Sequence, residues 1–146
     1  MIRVLFVVFV VFSSAFVYAD EDSISRLAKA VVVVESRGDD MVIGDRHLKR
    51  KAYGAFQIRK GVVDDVNQIW KTSYTPRDCL EKRQLSEKMF RAYLKKYATE
   101  RLIGRKPTDE DMARIWNGGP QGWNKQSTRG YWQKVRKELK KIPHQS

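Results

Sequence analysis

Apolar residues recur along this chain at helical spacing and stop at short polar breaks. Ile24, Leu27, Ala28, Val31 and Val34 share one face of a first helix, with Ser23 placed to cap it. Val31 to Val34 are four β-branched residues in a row that suit a strand equally well by propensity. Residues 38–51 are polar, contain two glycines and predict a small hairpin or irregular loops. A second helix follows through Val62, Val63, Val66, Ile69 and Trp70, and a third through Met89, Phe90, Tyr93, Leu94 and Tyr97. Pro107 and Thr108, with Asp111 three residues on, open a fourth that carries Met112, Ala113, Ile115 and Trp116. Thr128 opens a fifth with Tyr131, Trp132, Val135, Leu139 and Ile142. The pattern is a mainly helical α+β domain with one non-helical insertion after the first helix. Its aromatic stripes are core first, and sugar-stacking surfaces second.

The first nineteen residues do not fit this scheme. Arg3, an apolar run from Val4 to Phe12, and Val17-Tyr18-Ala19 read as a signal peptide over 1–19, leaving one domain over 20–146. A retained anchor is the alternative, but Ser13 and Ser14 interrupt the run below the roughly 20 apolar residues a span needs. The expected location is secreted or periplasmic, and the remaining 127 residues suffice for a single core.

Charge narrows the partners. Without Arg3 the chain keeps 28 Lys+Arg against 17 Asp+Glu, a formal +11. An exported cation of this size implies an anionic cell-wall polymer or membrane surface, and export makes nucleic acid the weakest candidate. The basic runs Arg46–Lys51, Arg101–Lys106 and Arg129–Lys141 are spread out, and a solvated surface explains each equally well. Cys79 is the only cysteine and reads as a small buried apolar residue. With His47 and His144 isolated, no metal spacing and no cofactor motif is present.

Glu35 is the carboxyl that stands out. It continues the apolar line of the first helix, directly after four valines, where desolvation raises a carboxyl pKa as a general acid requires. The equal alternative is an ion pair at the helix end, with Arg37 for instance. A glycosidase needs a second carboxylate, and Asp39, Asp40, Asp45, Asp64 and Asp65 are near in sequence. Asp45, after Gly44 in the insertion, is the one freest to face a cleft.

Two stretches resemble site architecture. Tyr53-Gly54-Ala55-Phe56-Gln57-Ile58 sets an amide among apolar residues, suited to a sugar or to satisfying a loop backbone. Trp116-Asn117-Gly118-Gly119-Pro120-Gln121-Gly122-Trp123 holds a Gly-rich turn between two indoles. An aromatic rim around an Asn also suits a polysaccharide cleft.

Ala113 to Trp123, followed by Ser127-Thr128-Arg129-Gly130-Tyr131-Trp132-Gln133-Lys134-Val135, closely resembles the C-terminal signature of invertebrate-type (destabilase-like) lysozymes. Glu35-Ser36-Arg37-Gly38, Gly54 to Ile58 and Tyr93-Leu94-Lys95-Lys96-Tyr97 resemble three further family segments, in the same order. The resemblance implies a lysozyme-like fold, Glu35 as catalytic acid and Asp45 as its aspartate partner. Ser36, Tyr53, Gln57, Trp116, Asn117 and Trp123 are the candidate substrate-binding residues. The implied substrate is the β-1,4 bond between N-acetylmuramic acid and N-acetylglucosamine in peptidoglycan glycan strands.

Departures accompany the likeness. The family is cysteine-rich, whereas Trp123 stands at one such position, which points to a disulfide-free, bacterial-like relative. The order of motifs is also similar to goose-type lysozymes and lytic transglycosylases, which use one glutamate and release 1,6-anhydro products. A non-enzymatic cationic wall- or membrane-binding protein on the same scaffold is the third reading.

Overall fold

The structure is a computed structural model that describes residues 15–143. Residues 1–14 of the leader expected over 1–19, and His144, lie outside the described residues, and residues 15–19 form the start of α1. The chain runs α1 (Ala15–Ser36), β1 (Ile43–Gly44), β2 (Ala52–Tyr53), α2 (Lys60–Trp70), α3 (Arg83–Tyr97), α4 (Glu100–Ile103), α5 (Asp109–Gly118) and α6 (Arg129–Leu139). The mainly helical α+β expectation, with a small β insertion after the first helix, is what forms. The short α4 and the 3-10 turns Pro76–Cys79, Gly122–Asn124 and Gln126–Thr128 were not foreseen.

The four valines are helical. In α1, Leu27, Ala28, Ala30, Val31 and Val32 are buried, while Val33 is exposed. This buried face is wide because α1 packs against α3, α5 and α6 at once. Tertiary burial on a helical period therefore overrides the strand propensity of the valine run.

Two helix starts differ from expectation. Ser23 lies inside α1, and its hydroxyl donates to Asp109 Oδ1 at 2.7 Å, tying α1 to the head of α5. Thr128 does precede α6, but no side-chain cap forms; its hydroxyl serves the preceding turn instead. The start of α5 is as expected: Thr108 Oγ1 accepts from Asp111 N, and the Asp111 carboxylate accepts from Thr108 N. Each partner satisfies an N–H that the first helical turn would otherwise leave open.

The core centres on Phe56, Phe90, Leu27, Val31, Met89 and Ile115. Phe56 and Phe90 meet with ring centroids 5.1 Å apart, and Trp116 stands edge-on to both. Loss of either Phe side chain would cost about 3–5 kcal/mol. Cys79 is fully buried beside Met89, as expected of an apolar packing residue, and burial pushes its thiol pKa up.

The insertion is a two-stranded antiparallel ribbon with Ile43 opposite Tyr53 and Gly44 opposite Ala52. It is pressed onto the Pro76–Cys79 turn at Gly54, whose φ is +70°. A Cβ there would sit 2.6 Å from the Cys79 carbonyl oxygen, so only glycine permits the approach. Among the described residues no helix is long and apolar enough to cross a membrane.

Candidate active site

Glu35 occupies the last turn of α1, next to the helix end at Ser36. Arg37 and Gly38 then take positive φ, 56° and 87°, and turn the chain sharply out of the helix. The Glu35 carboxyl is left facing α6 and α5. The Tyr131 hydroxyl donates to Glu35 Oε1 at 2.7 Å, and the Trp116 side chain hydrogen-bonds to the same carboxyl. The Arg37 pairing weighed from the sequence is not found among the described residues.

Burial raises the Glu35 pKa above the ordinary carboxylate value. The Tyr131 hydrogen bond, the Arg59 charge and the Trp116 hydrogen bond each pull it back, and the Asp45 charge adds to the rise. Desolvation wins over these. Tyr131 answers in kind: burial, the Glu35 charge and their hydrogen bond hold its phenol well above its usual value. The pair therefore consists of a carboxyl inclined to keep a proton and a phenol that only donates.

Asp45 reaches the same neighbourhood from the ribbon. It follows β1 with φ at 50°, a left-handed backbone that aspartate tolerates better than most residues. Its carboxylate is ion-paired with Arg59, the residue just before α2. Arg59 also donates to the Arg50 carbonyl at 3.2 Å, so one guanidinium clasps both limbs of the loop that joins the strands. Asp39, Asp40, Asp64 and Asp65 are otherwise occupied. Asp39 accepts from Met41 N, Asp40 pairs with Arg83, Asp64 with Lys60, and Asp65 with Lys96 and the Tyr97 hydroxyl.

The other candidates divide into those near Glu35 and those holding the scaffold. Trp116 touches the acid, stacks edge-on against Tyr93 at 5.7 Å and belongs to both site and core. Asn117 is exposed beside it. Ser36 is buried, and its hydroxyl donates to Val32 O at 3.1 Å while accepting from Gly38 N, which completes the helix end. Gln57 donates to Val42 O and Gly54 O at 3.2 and 3.0 Å, the loop-satisfying role. Tyr53 is half-buried on β2. Trp123 packs against the core with its indole N–H enclosed and not hydrogen-bonded.

The Gly-rich turn after α5 is fixed from beneath by Arg114. This buried guanidinium donates to Thr128 Oγ1 and to Lys125 O, and Thr128 donates to Gly122 O at 2.7 Å. A Cβ on Gly122 would lie 1.9 Å from the Arg114 carbonyl oxygen, so the turn closes only on glycine. This anchoring sets α6, and hence Tyr131, against α1. Sequence reading missed Tyr131 and Arg59 as site residues. Tyr131 sat on a helical apolar stripe that reads as core, and Arg59 was one cation among many.

Comparison with known proteins agrees with this geometry. A destabilase family profile matches residues 31–138. Lysozyme 1 of Crassostrea virginica is 33% identical over 85 residues, covering 56% of this chain and 42% of the relative. The lysozyme of Ostrea edulis is 32% identical over 88 residues, covering 58% of each. The chain thus spans about half the length of these curated relatives. In three dimensions it is similar to the inhibitor-bound lysozyme of Meretrix lusoria, with a TM-score of 0.65 and 26% identity over 77% of this chain and 87% of that one. The lysozyme of Tapes japonica superposes with a TM-score of 0.64 at the same identity and coverage. With this lysozyme-like fold and a profile match over most of its length, the chain belongs to the destabilase family of invertebrate-type lysozymes.

Proposed function

We propose that this chain is an exported lysozyme that hydrolyses the β-1,4 bond between N-acetylmuramic acid and N-acetylglucosamine. The observation that carries the reading is the Glu35 carboxyl, desolvated at the end of α1 and hydrogen-bonded at Oε1 by Tyr131. Its pKa, raised by burial, favours the protonated form that donation to a glycosidic oxygen requires. Because Tyr131 donates to Oε1, the proton belongs on Oε2. As the bond breaks, positive charge grows on the sugar ring, and the Asp45 carboxylate stabilises or attacks that centre. Arg59 orients Asp45 through their ion pair. Water completes the reaction, with Glu35, now a carboxylate, as its base. Trp116 and Asn117 line the sugar site, and export follows from the leader-like segment over 1–19.

Glu35→Gln keeps the shape and the Tyr131 hydrogen bond but removes the proton. Activity on purified peptidoglycan should fall on the order of 10²–10⁴-fold. Unchanged lysis by this variant would refute the assignment. Mass spectrometry of the products separates the transglycosylase reading, which requires 1,6-anhydro ends and full activity in Asp45→Asn.

A further inference from the structure

A groove of about 480 Å³ opens beside the ribbon, a volume within the range of ligand sites. Its floor and sides are apolar where Val63, Tyr53, Tyr74 and Pro76 meet. Cations rim it from three elements: Lys49, Arg50 and Lys51 from the strand-joining loop, Lys60 from α2, and Arg77 from the 3-10 turn. Asp64 is the one carboxylate in the lining, and it is spent on Lys60. Lys49, Lys51 and Arg77 thus concentrate positive charge around a partly apolar trough, a field that draws an anion toward it.

The groove also adjoins the candidate catalytic ribbon. Lys51 directly precedes β2, and the Arg50 carbonyl accepts from Arg59, the partner of Asp45. A glycan strand lying along Asp45 would therefore hold the peptide borne by a muramic acid residue close to this trough. Such peptides alternate alanine methyls with free carboxylates, which matches apolar floor and cationic rim together. The groove is bounded and short, which suits a few residues of peptide; a running phosphodiester polymer calls for a continuous basic stripe.

We propose that this groove is a specificity subsite for the acidic stem peptide of the glycan strand, with Lys49, Lys51 and Arg77 pairing its carboxylates. The proposal rests on the peptidoglycan reading above, and its test is chosen to separate the two. The variant is Lys49→Ala, Lys51→Ala and Arg77→Ala combined in the full chain. These are surface side chains, and an unchanged thermal midpoint checks the fold.

On peptide-bearing strands kcat/KM should fall about tenfold, as expected for three exposed charge contacts. On the same strands stripped of peptide it should stay at the wild-type value. Calorimetry with a soluble alanine-, glutamate- and diamino-acid-containing stem tetrapeptide should show binding to both wild type and Glu35→Gln, lost in the triple variant. Equal falls on both strands, or no fall on either, would overturn the subsite. So would calorimetry in which poly(glycerol phosphate) binds and the tetrapeptide does not. If the wild type cleaves neither strand, the hydrolase reading fails, while tetrapeptide binding still decides the groove.

Discussion

At the scale of single residues, the Glu35–Tyr131 pair is where the proposed activity and the stability of the fold should respond to one titration. The Tyr131 hydroxyl lowers a carboxyl pKa that burial raises. Tyr131→Phe removes the lowering contribution, so the Glu35 pKa should move further up. A general acid works below its pKa, so the alkaline limb of the kcat–pH profile should shift to higher pH in Tyr131→Phe. A profile that loses amplitude without moving would contradict the hydrogen bond's role.

The same carboxyl weakens the fold. Between the ordinary and the raised pKa the native state holds a proton that the unfolded chain has released. Stability therefore falls as pH rises through that interval and stays lower above it. Glu35→Gln should accordingly melt higher than wild type above the interval, with the difference vanishing in acid. Thermal melts at several pH values test this sign.

At the scale of elements, α5 shows how a local signal becomes a fixed point of the fold. Burial by itself would push the Asp111 carboxyl up, but hydrogen bonds from Arg105 and Thr108 win and hold it below the ordinary range. Arg105 lies 2.5 Å from one oxygen and 2.9 Å from the other. Asp111→Ala removes both the cap and the pair and should cost about 1–2 kcal/mol, a drop in Tm of roughly 5–10 °C. With its pKa lowered on folding, this contribution is present above the ordinary carboxylate pKa and is lost as pH falls through the lowered one. The wild-type and variant melting curves should converge in strong acid. The Thr108–Asp111 spacing was legible in the sequence because a capping box is short-range; Ser23 misled for the converse reason, since its partner Asp109 is 86 residues away.

At the scale of the whole molecule, the formal charge of +11 that remains without Arg3 predicts electrostatic steering toward an anionic substrate. Such steering acts through solvent and is screened, the Debye length shrinking from about 10 Å at 0.1 M salt to about 3 Å at 1 M. On whole peptidoglycan kcat/KM should fall steeply over that range. A short neutral N-acetylglucosamine oligomer should show little dependence, and equal slopes for the two substrates would remove the steering argument.

Sequence alone determined the apolar stripes of α2, α3, α5 and α6, the place of the insertion and the apolar role of Cys79, because local period and residue type suffice for these; tertiary burial kept the valine run of α1 helical. Sequence reading also singled out Glu35 and ranked Asp45 first among five aspartates. The partners of those two carboxylates were decided only by tertiary structure. Tyr131 lies 96 residues from Glu35, and the contact exists because Arg114, Thr128 and Gly122 fold α6 back against α1. Arg59 meets Asp45 because the ribbon register returns the chain to the head of α2. For the same reason Ser36 and Gln57 hydrogen-bond to nearby backbone and Trp123 packs against the core. A polar group near a site first satisfies the backbone that folds around it, and only the assembled chain shows which groups are left to face a substrate.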